Sequence, residues 1–349
     1  MNGFSAFLKR KDIVFSAKRY FIDALGAMAQ GLFCSLLIGT IIKTSGTQLG
    51  VSFLTDIGTF AMAVAGPAMA VAIGKALNAP PMVLFSLAAV GWAANTEGGA
   101  GGPLAVYIIA IVACELGKAV SKETKVDILV TPGVTVLAGG ILAKFIAPFL
   151  GKAADAFGEV IRVSTELRPF LMGIAVSVLV GIALTLPISS AAICSVLSLT
   201  GLAGGAAVAG CCAQMIGFAV ISFRENKWGG LISQGLGTSM LQMPNIIRNP
   251  CIWIAPTLAS AITGPVATCV FHLEMNGAAI NSGMGPCGMC GPIGVITGWF
   301  SQESQITPGV SDWAGLVLIA LVLPAVLSLI FDFILRKTGL VKDGDMKLS

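Results

Sequence analysis

Long apolar runs, interrupted by glycine and proline, dominate the pattern of hydrophobic and polar positions along this chain. From residue 21 to residue 336, stretches long enough to cross a bilayer, about 20 residues at 1.5 Å each, follow one another. No large soluble domain fits between them. The pattern predicts a first span over 21–43 and a second over 55–77, bent at Gly66-Pro67. After Pro80-Pro81 about 14 residues stay helical before a glycine cluster, which covers roughly 20 Å, so this helix is expected to stop inside the membrane. Spans over 103–120 and 128–150 follow, then an amphipathic connector over 151–168 with charged and apolar positions at helical spacing.

From Pro169 to Phe223 there are 55 residues without a single Asp, Glu, Lys or Arg, enough for more than two crossings. Pro187 and the glycines of 200–210 punctuate this run, so one full span plus a broken or hairpin element is the natural division. Such breaks are tolerated only where protein or a water-filled cavity satisfies the freed backbone groups. Residues 224–250 are too polar for a lipid-facing helix, while 251–271 and 313–335 read as further spans. The expected fold class is an all-α polytopic membrane protein with eight to ten transmembrane or re-entrant helices. Its expected organisation is a basic interfacial segment over 1–20, a transmembrane domain over 21–336 and a tail over 337–349.

Composition agrees with that reading. The chain has 349 residues, 56% hydrophobic and 11% charged, with a mean hydropathy of +0.90, where soluble domains carry roughly 25% charged residues. The formal net charge of +4 does not point to nucleic acid, because 9 of the 21 basic residues lie within residues 1–20 and 336–349. Positive-inside topology accounts for them and places both ends on the cytoplasmic side. Five of the nine cysteines, Cys34, Cys114, Cys194, Cys251 and Cys269, are single residues in apolar surroundings, where a thiol behaves as a small hydrophobe, and no disulfide is expected. Cys287 and Cys290 have the spacing of a metal or redox pair, but no second His/Cys pair stands near them. No cofactor or metal is expected.

Candidate chemistry lies in the polar residues that interrupt the apolar runs. Glu97, with Asn95 and Thr96 beside it, sits among glycines between two spans, and a carboxylate within a bilayer usually faces a bundle interior or aqueous cavity. Freed amides and carbonyls of a broken helix would then serve as ligand groups. The same stretch also reads as a short loop with a solvated glutamate. A second cluster comprises His272, Glu274, Asn276 and Asn281, and His272 is the chain's one histidine. His beside Glu can relay protons or hydrogen-bond sugar hydroxyls, or both can sit in interfacial water. Gln214, inside the charge-free run, is either a ligand group or an interhelical hydrogen bond. The substrate-binding candidates are therefore Asn95, Thr96, Glu97, Gln214, His272 and Glu274. Arg224 with Glu225 reads as a loop pair, and Glu115 as a local ion pair with Lys118.

The stretches "KRYFIDALGAMAQGLF", "LRPFLMGIAVSVLVGIALTLPISSAA" and the block from "GCCAQMIGF" through "APTLASAITGP" resemble the bacterial IIC-type membrane proteins that include the PfoR-like toxin regulators. That resemblance implies a sugar-conducting IIC fold in the bacterial cell membrane, a homodimer, and a membrane component of, or derived from, the phosphoenolpyruvate-dependent phosphotransferase system. Glucose-type members share a Gly-x-x-Glu-Pro motif whose glutamate contacts the sugar. This chain has no such string, so no site residue is carried over. The expected function is a permease component moving a small polar, sugar-like solute by alternating access, with a membrane sensor of PfoR type as the alternative. The chain itself is not expected to be an enzyme; phosphoryl transfer would need a separate IIB-like phosphocarrier.

Overall fold

The computed structural model describes residues 3–300 and 308–348, and among them every regular element is helical. The first two residues of the basic segment and the last of the tail lie outside the described residues. The helices are α1 (Gly3–Arg10), α2 (Lys18–Leu49), α3 (Ser52–Ala63), α4 (Ala65–Ala76), α5 (Pro81–Gly98), α6 (Gly102–Val120) and α7 (Asp127–Thr165). After them come α8 (Pro169–Thr185), α9 (Ser190–Val196), α10 (Gly201–Ile221), α11 (Phe223–Ile232), α12 (Met243–Arg248), α13 (Pro250–Val270), α14 (Cys290–Trp299) and α15 (Val310–Lys337). By length and composition six apolar helical stretches can cross a membrane, and the bent pair α3–α4 makes a seventh. The protein is a multi-pass, all-α membrane protein. The chain divides into two compact units, 1–153 and 154–349, the boundary falling inside α7.

In the first unit, small residues set the packing. Gly39 of α2 and Gly58 of α3 face each other so closely that a side chain on either would strike the other's backbone, and Gly31 bears on Ala68 of α4 in the same way. The bend between α3 and α4 is 48°, centred at Val64, with Gly66 and Pro67 in the first turn that follows. The stretch Pro81–Val120 does not run straight. Gly117 packs on Val83 and Gly102 on Asn95, so α5 and α6 form an antiparallel hairpin closed by Gly99, whose φ of +50° favours glycine. Thr135, Gly139, Ala147 and Leu150 of α7 lie in that order along this hairpin, from its open end to its tip.

Two expectations are corrected here. The helix after Pro81 ends at the glycine cluster as expected but is longer than the expected 14 or so residues: it runs 18 residues to Gly98, about 27 Å, because Asn95, Thr96 and Glu97 tolerate helical backbone and only Gly99 requires otherwise. The span over 128–150 and the connector after it form one helix of 39 residues. Charges at helical spacing explain its continuation, since Arg162 pairs with Glu159 at 2.6 Å and with Glu166 at 3.1 Å.

The open end of the hairpin is closed by the basic segment. Lys118, 1% exposed, donates to the carbonyls of Asp12 (2.6 Å) and Leu77 (2.9 Å) and pairs with Glu115 at 3.1 Å. Arg19 bonds both Asp12 carboxylate oxygens and the Leu77 carbonyl, placing two cations at the C-terminal end of α4, where the helix dipole favours them. Lys11 reaches the Ser121 carbonyl and Glu123. The Arg19 hydrogen bond holds the Asp12 carboxyl down at about 2, with smaller help from Asn78 and Lys118.

In the second unit α10 is the central helix, buried almost throughout. Its glycines admit close neighbours: Gly210 meets the backbone of Ser177 of α8, and Gly217 the side chains of Pro256 of α13 and Ser328 of α15. Ser177 donates to the Ser260 carbonyl at 2.8 Å, tying α8 to α13. The polar stretch 224–250 turns its amides inward. Gln234, Gln242 and Asn245 are buried and hydrogen-bonded in series, and Gln242 and Asn226 both donate to the Met346 carbonyl. Met346, fully buried, fills a socket with Phe218, Ile246 and Leu335. The expected Arg224–Glu225 pair is replaced, because Glu225 folds inward and pairs with Arg336 at 3.1 Å.

Candidate functional site

Two stretches of the second unit abandon helical backbone between apolar helices. Residues 186–200 contain only the short α9, and residues 271–289 contain an extended segment followed by 3₁₀ turns at Ala279–Gly283 and Cys287–Met289. The two stretches pack on each other: Ser190 donates to the Gly283 carbonyl at 2.7 Å, and Gly283 is held against Ser190 backbone. Cys194, Cys211, Cys212 and Cys287 fill the interior around them as buried free thiols.

The extended segment is entered through a π-turn at Val266–Val270 and His272 at φ +46°, and it is anchored to the start of α10. Gly201 and Met275 exchange N–H···O bonds of 3.0 Å, the single isolated β-bridge among the described residues. Alternation follows from the pleat. Leu273 and Met275 are buried in a core with Val208, Cys212, Val295 and Trp299, whereas Glu274 and Asn276 lie on the opposite side of the pleat and are exposed; His272, exposed as well, precedes the pleat with left-handed backbone. The Asn276 amide nitrogen donates to Glu274 Oε2 at 2.9 Å, and its oxygen accepts from the Gly201 N–H at 3.1 Å. Thr200, exposed beside Gly201, extends the same polar surface. One carboxylate oxygen of Glu274 and the exposed His272 imidazole have hydrogen-bonding capacity to spare, and the Thr200 hydroxyl, which donates to the Ser198 carbonyl at 3.4 Å, can still accept.

The sequence candidates fall into three places. His272 and Glu274 are both exposed, two positions apart, at the start of this segment. Gln214 is 0% exposed and fully engaged: its oxygen accepts from Trp253 Nε1 at 2.9 Å and Thr185 at 3.3 Å, and its nitrogen donates to Thr257 at 3.2 Å. Thr185 also shares a 2.8 Å hydrogen bond with Ser239, so the amide joins α8, α10 and α13. Asn95, Thr96 and Glu97 belong to the other unit, in the last turn of α5 at the hairpin tip. There Glu97 is about one-third exposed and accepts from Lys144 of α7 at 3.2 Å. Sequence reasoning did not select Thr200; its one signal is a hydroxyl immediately before the glycine that opens α10. Glu115 pairs with Lys118, and among the described residues no group of three or more His, Cys, Asp or Glu could hold a metal.

A helical, multi-pass chain with broken elements packed together around an exposed carboxylate has the construction of a solute permease. The family described as "Phosphotransferase system, EIIC" matches residues 22–348, nearly the whole chain, and the protein belongs to that family. It is a membrane transport component of the sugar phosphotransferase type. Comparison with curated proteins and comparison with solved structures each found no match.

Proposed function

We propose that the protein carries a sugar-type solute across the bacterial cell membrane and binds it on the 272–276 face, with Glu274 as the principal hydrogen-bond acceptor. The observation that supports this reading is the alternation of the extended segment, which buries Leu273 and Met275 and leaves Glu274 and Asn276 outward, with His272 exposed just before them. A carboxylate with an amide bonded to it, and with an exposed imidazole and hydroxyl on the same stretches of chain, suits a neutral polyhydroxylated ligand: each group pairs with hydroxyls, and among the described residues no cation pairs with Glu274. Non-helical backbone between apolar helices fits a surface that water and solute reach. Alternating exposure of that face, with both chain ends on the cytoplasmic side and a homodimeric assembly, completes the proposal.

Phosphorylation of the cargo requires a separate IIB-like carrier. The buried thiols do not substitute for one, since Cys211, Cys212 and Cys287 have no exposed surface of consequence. Purified protein in liposomes, offered a panel of sugars, sugar acids and nucleosides together with the general phosphotransfer proteins but no IIB, should admit a sugar unmodified. Phosphorylated product in the lumen would refute the division of labour, and absence of uptake of every sugar would refute the permease reading.

A further inference from the structure

At the ends of α10 and α15 the second unit has a cavity of about 430 Å³, lined by Val220, Ile221, Arg224, Leu329, Asp332, Phe333, Arg336 and Lys337. Its outer wall is a single helical stripe, Leu329, Phe333 and Lys337, spaced four residues apart and so rising about 12 Å from apolar to aromatic to cationic. Leu329 is 48% and Phe333 66% exposed, on a helix whose apolar surface is mostly unburied. Arg224 stands at the same level just beyond the end of α10, also exposed.

The charges in this cavity differ in how far they are used. Arg336 is spent within the protein, bonding Asp332 at 2.7 Å, Glu225 at 3.1 Å and Asp343 at 2.6 Å. Asp332, the one carboxylate that lines the cavity, is therefore already paired. The side chains of Arg224 and Lys337 donate no hydrogen bond to any described residue; Arg224 stands close enough to Asp332 to feel its charge, but that carboxylate and Glu225 are held by Arg336. A cavity that is apolar along Leu329 and Phe333 and carries two cations without hydrogen-bond partners among the described residues at its other end complements an amphiphile with an anionic head.

We infer that this cavity binds an anionic phospholipid, with the phosphate between Arg224 and Lys337, the glycerol region beside Phe333 and an acyl chain along Leu329. The selectivity comes from charge. A zwitterionic lipid brings its own cation to the same place, whereas phosphatidylglycerol does not, and a basic residue near a membrane surface contributes about a fivefold preference for anionic lipid.

The test is lipid retention by the full-length protein, purified from nanodiscs of equal phosphatidylglycerol and phosphatidylcholine and read by native mass spectrometry. Wild type should keep phosphatidylglycerol in preference. Lys337→Gln should lower that preference about fivefold and Arg224→Gln with Lys337→Gln by more, while Lys122→Gln in the other unit leaves it unchanged. Lys337→Gln tests the idea without loading the fold, because that side chain is exposed and makes no bond to a described residue. Equal retention of the two lipids by wild type, or undiminished preference in Lys337→Gln, would overturn the inference. Displacement of the lipid signal by millimolar inorganic phosphate alone would also overturn it, showing a site for soluble anions.

Discussion

Replacing Gly205 by alanine perturbs the proposed site from behind without touching any polar group on it. Gly205 lies in the second turn of α10, directly under the extended segment: a Cβ there would stand 2.8 Å from the Leu273 carbonyl carbon, inside contact distance of its oxygen, and 3.6 Å from the Glu274 nitrogen. Carbon atoms pack at about 3.5 Å or more, so the carbon contact alone requires an outward shift of about 0.7 Å; the oxygen lies closer still and requires more, carrying Glu274 with it. The strain of such overpacking is about 1–3 kcal/mol. Alanine's better helix propensity returns up to about 1 kcal/mol. Thermal unfolding in detergent should therefore show a modest loss of stability, and uptake of the transported sugar in liposomes should fall at least about tenfold, a change of about 1.4 kcal/mol in binding. Gly140→Ala, where nothing lies within 4 Å of the added carbon, is the matched control and should leave both unchanged or slightly raise stability. Wild-type uptake by a folded Gly205→Ala protein would refute the claim that the backbone at Leu273 and Glu274 positions the substrate.

Other outcomes follow from the same structure. Met346→Ala should cost about 2–5 kcal/mol, because the side chain is fully buried among Phe218, Ile246 and Leu335; melting curves check this, and an unchanged midpoint would show that the segment is not docked in solution. Asp12→Asn should destabilise the protein at neutral pH. Since the folded-state carboxyl of Asp12 sits near 2, below the ordinary value of about 4, its contribution is complete above pH 4 and is lost as the pH falls towards 2. The difference between wild type and Asp12→Asn should accordingly be constant from pH 7 to about pH 5 and shrink below pH 4, and a difference that disappears already at pH 6 would contradict the Arg19 pairing. Thr185→Val leaves Gln214 with two partners and Ser239 with none, so a loss of about 1–3 kcal/mol in stability is expected, with substrate affinity unchanged.

Much of the architecture was legible in the residues. Apolar runs of bilayer length, the bend beside Gly66-Pro67 and the local Glu115–Lys118 pair follow from local rules that tertiary contacts did not override. The errors arose where glycine was read as a helix breaker by number. Of the cluster after Glu97 only Gly99 adopts a positive φ, while Gly98, Gly101 and Gly102 are needed because α5, α6 and α7 approach too closely there for a side chain. Crowding of that kind depends on partners distant in the chain. For the candidate site, the polar types at 272–276 were visible, but periodicity over five residues could not show that the backbone is extended. That conformation depends on Gly201, some seventy positions earlier, exchanging hydrogen bonds with Met275. Gln214 illustrates the reverse: a buried amide in a charge-free run is consistent with a ligand group until Trp253, Thr185 and Thr257 are seen to occupy it.

The central claim is that the solute is bound on the 272–276 face, and a direct comparison of two carboxylate variants tests it. Glu274→Gln and Glu97→Gln each remove one charge and keep the side-chain shape, the first on the extended segment and the second at the hairpin tip where Lys144 already holds the carboxylate. Equilibrium binding of the transported sugar to purified, monodisperse protein is the measurement. A hydrogen bond to a charged acceptor contributes about 1.5–3 kcal/mol, so Glu274→Gln should weaken binding by about tenfold to a hundredfold, whereas Glu97→Gln should bind as wild type does. Wild-type affinity in Glu274→Gln, with loss of binding in Glu97→Gln, would contradict the account and move the site to the first unit.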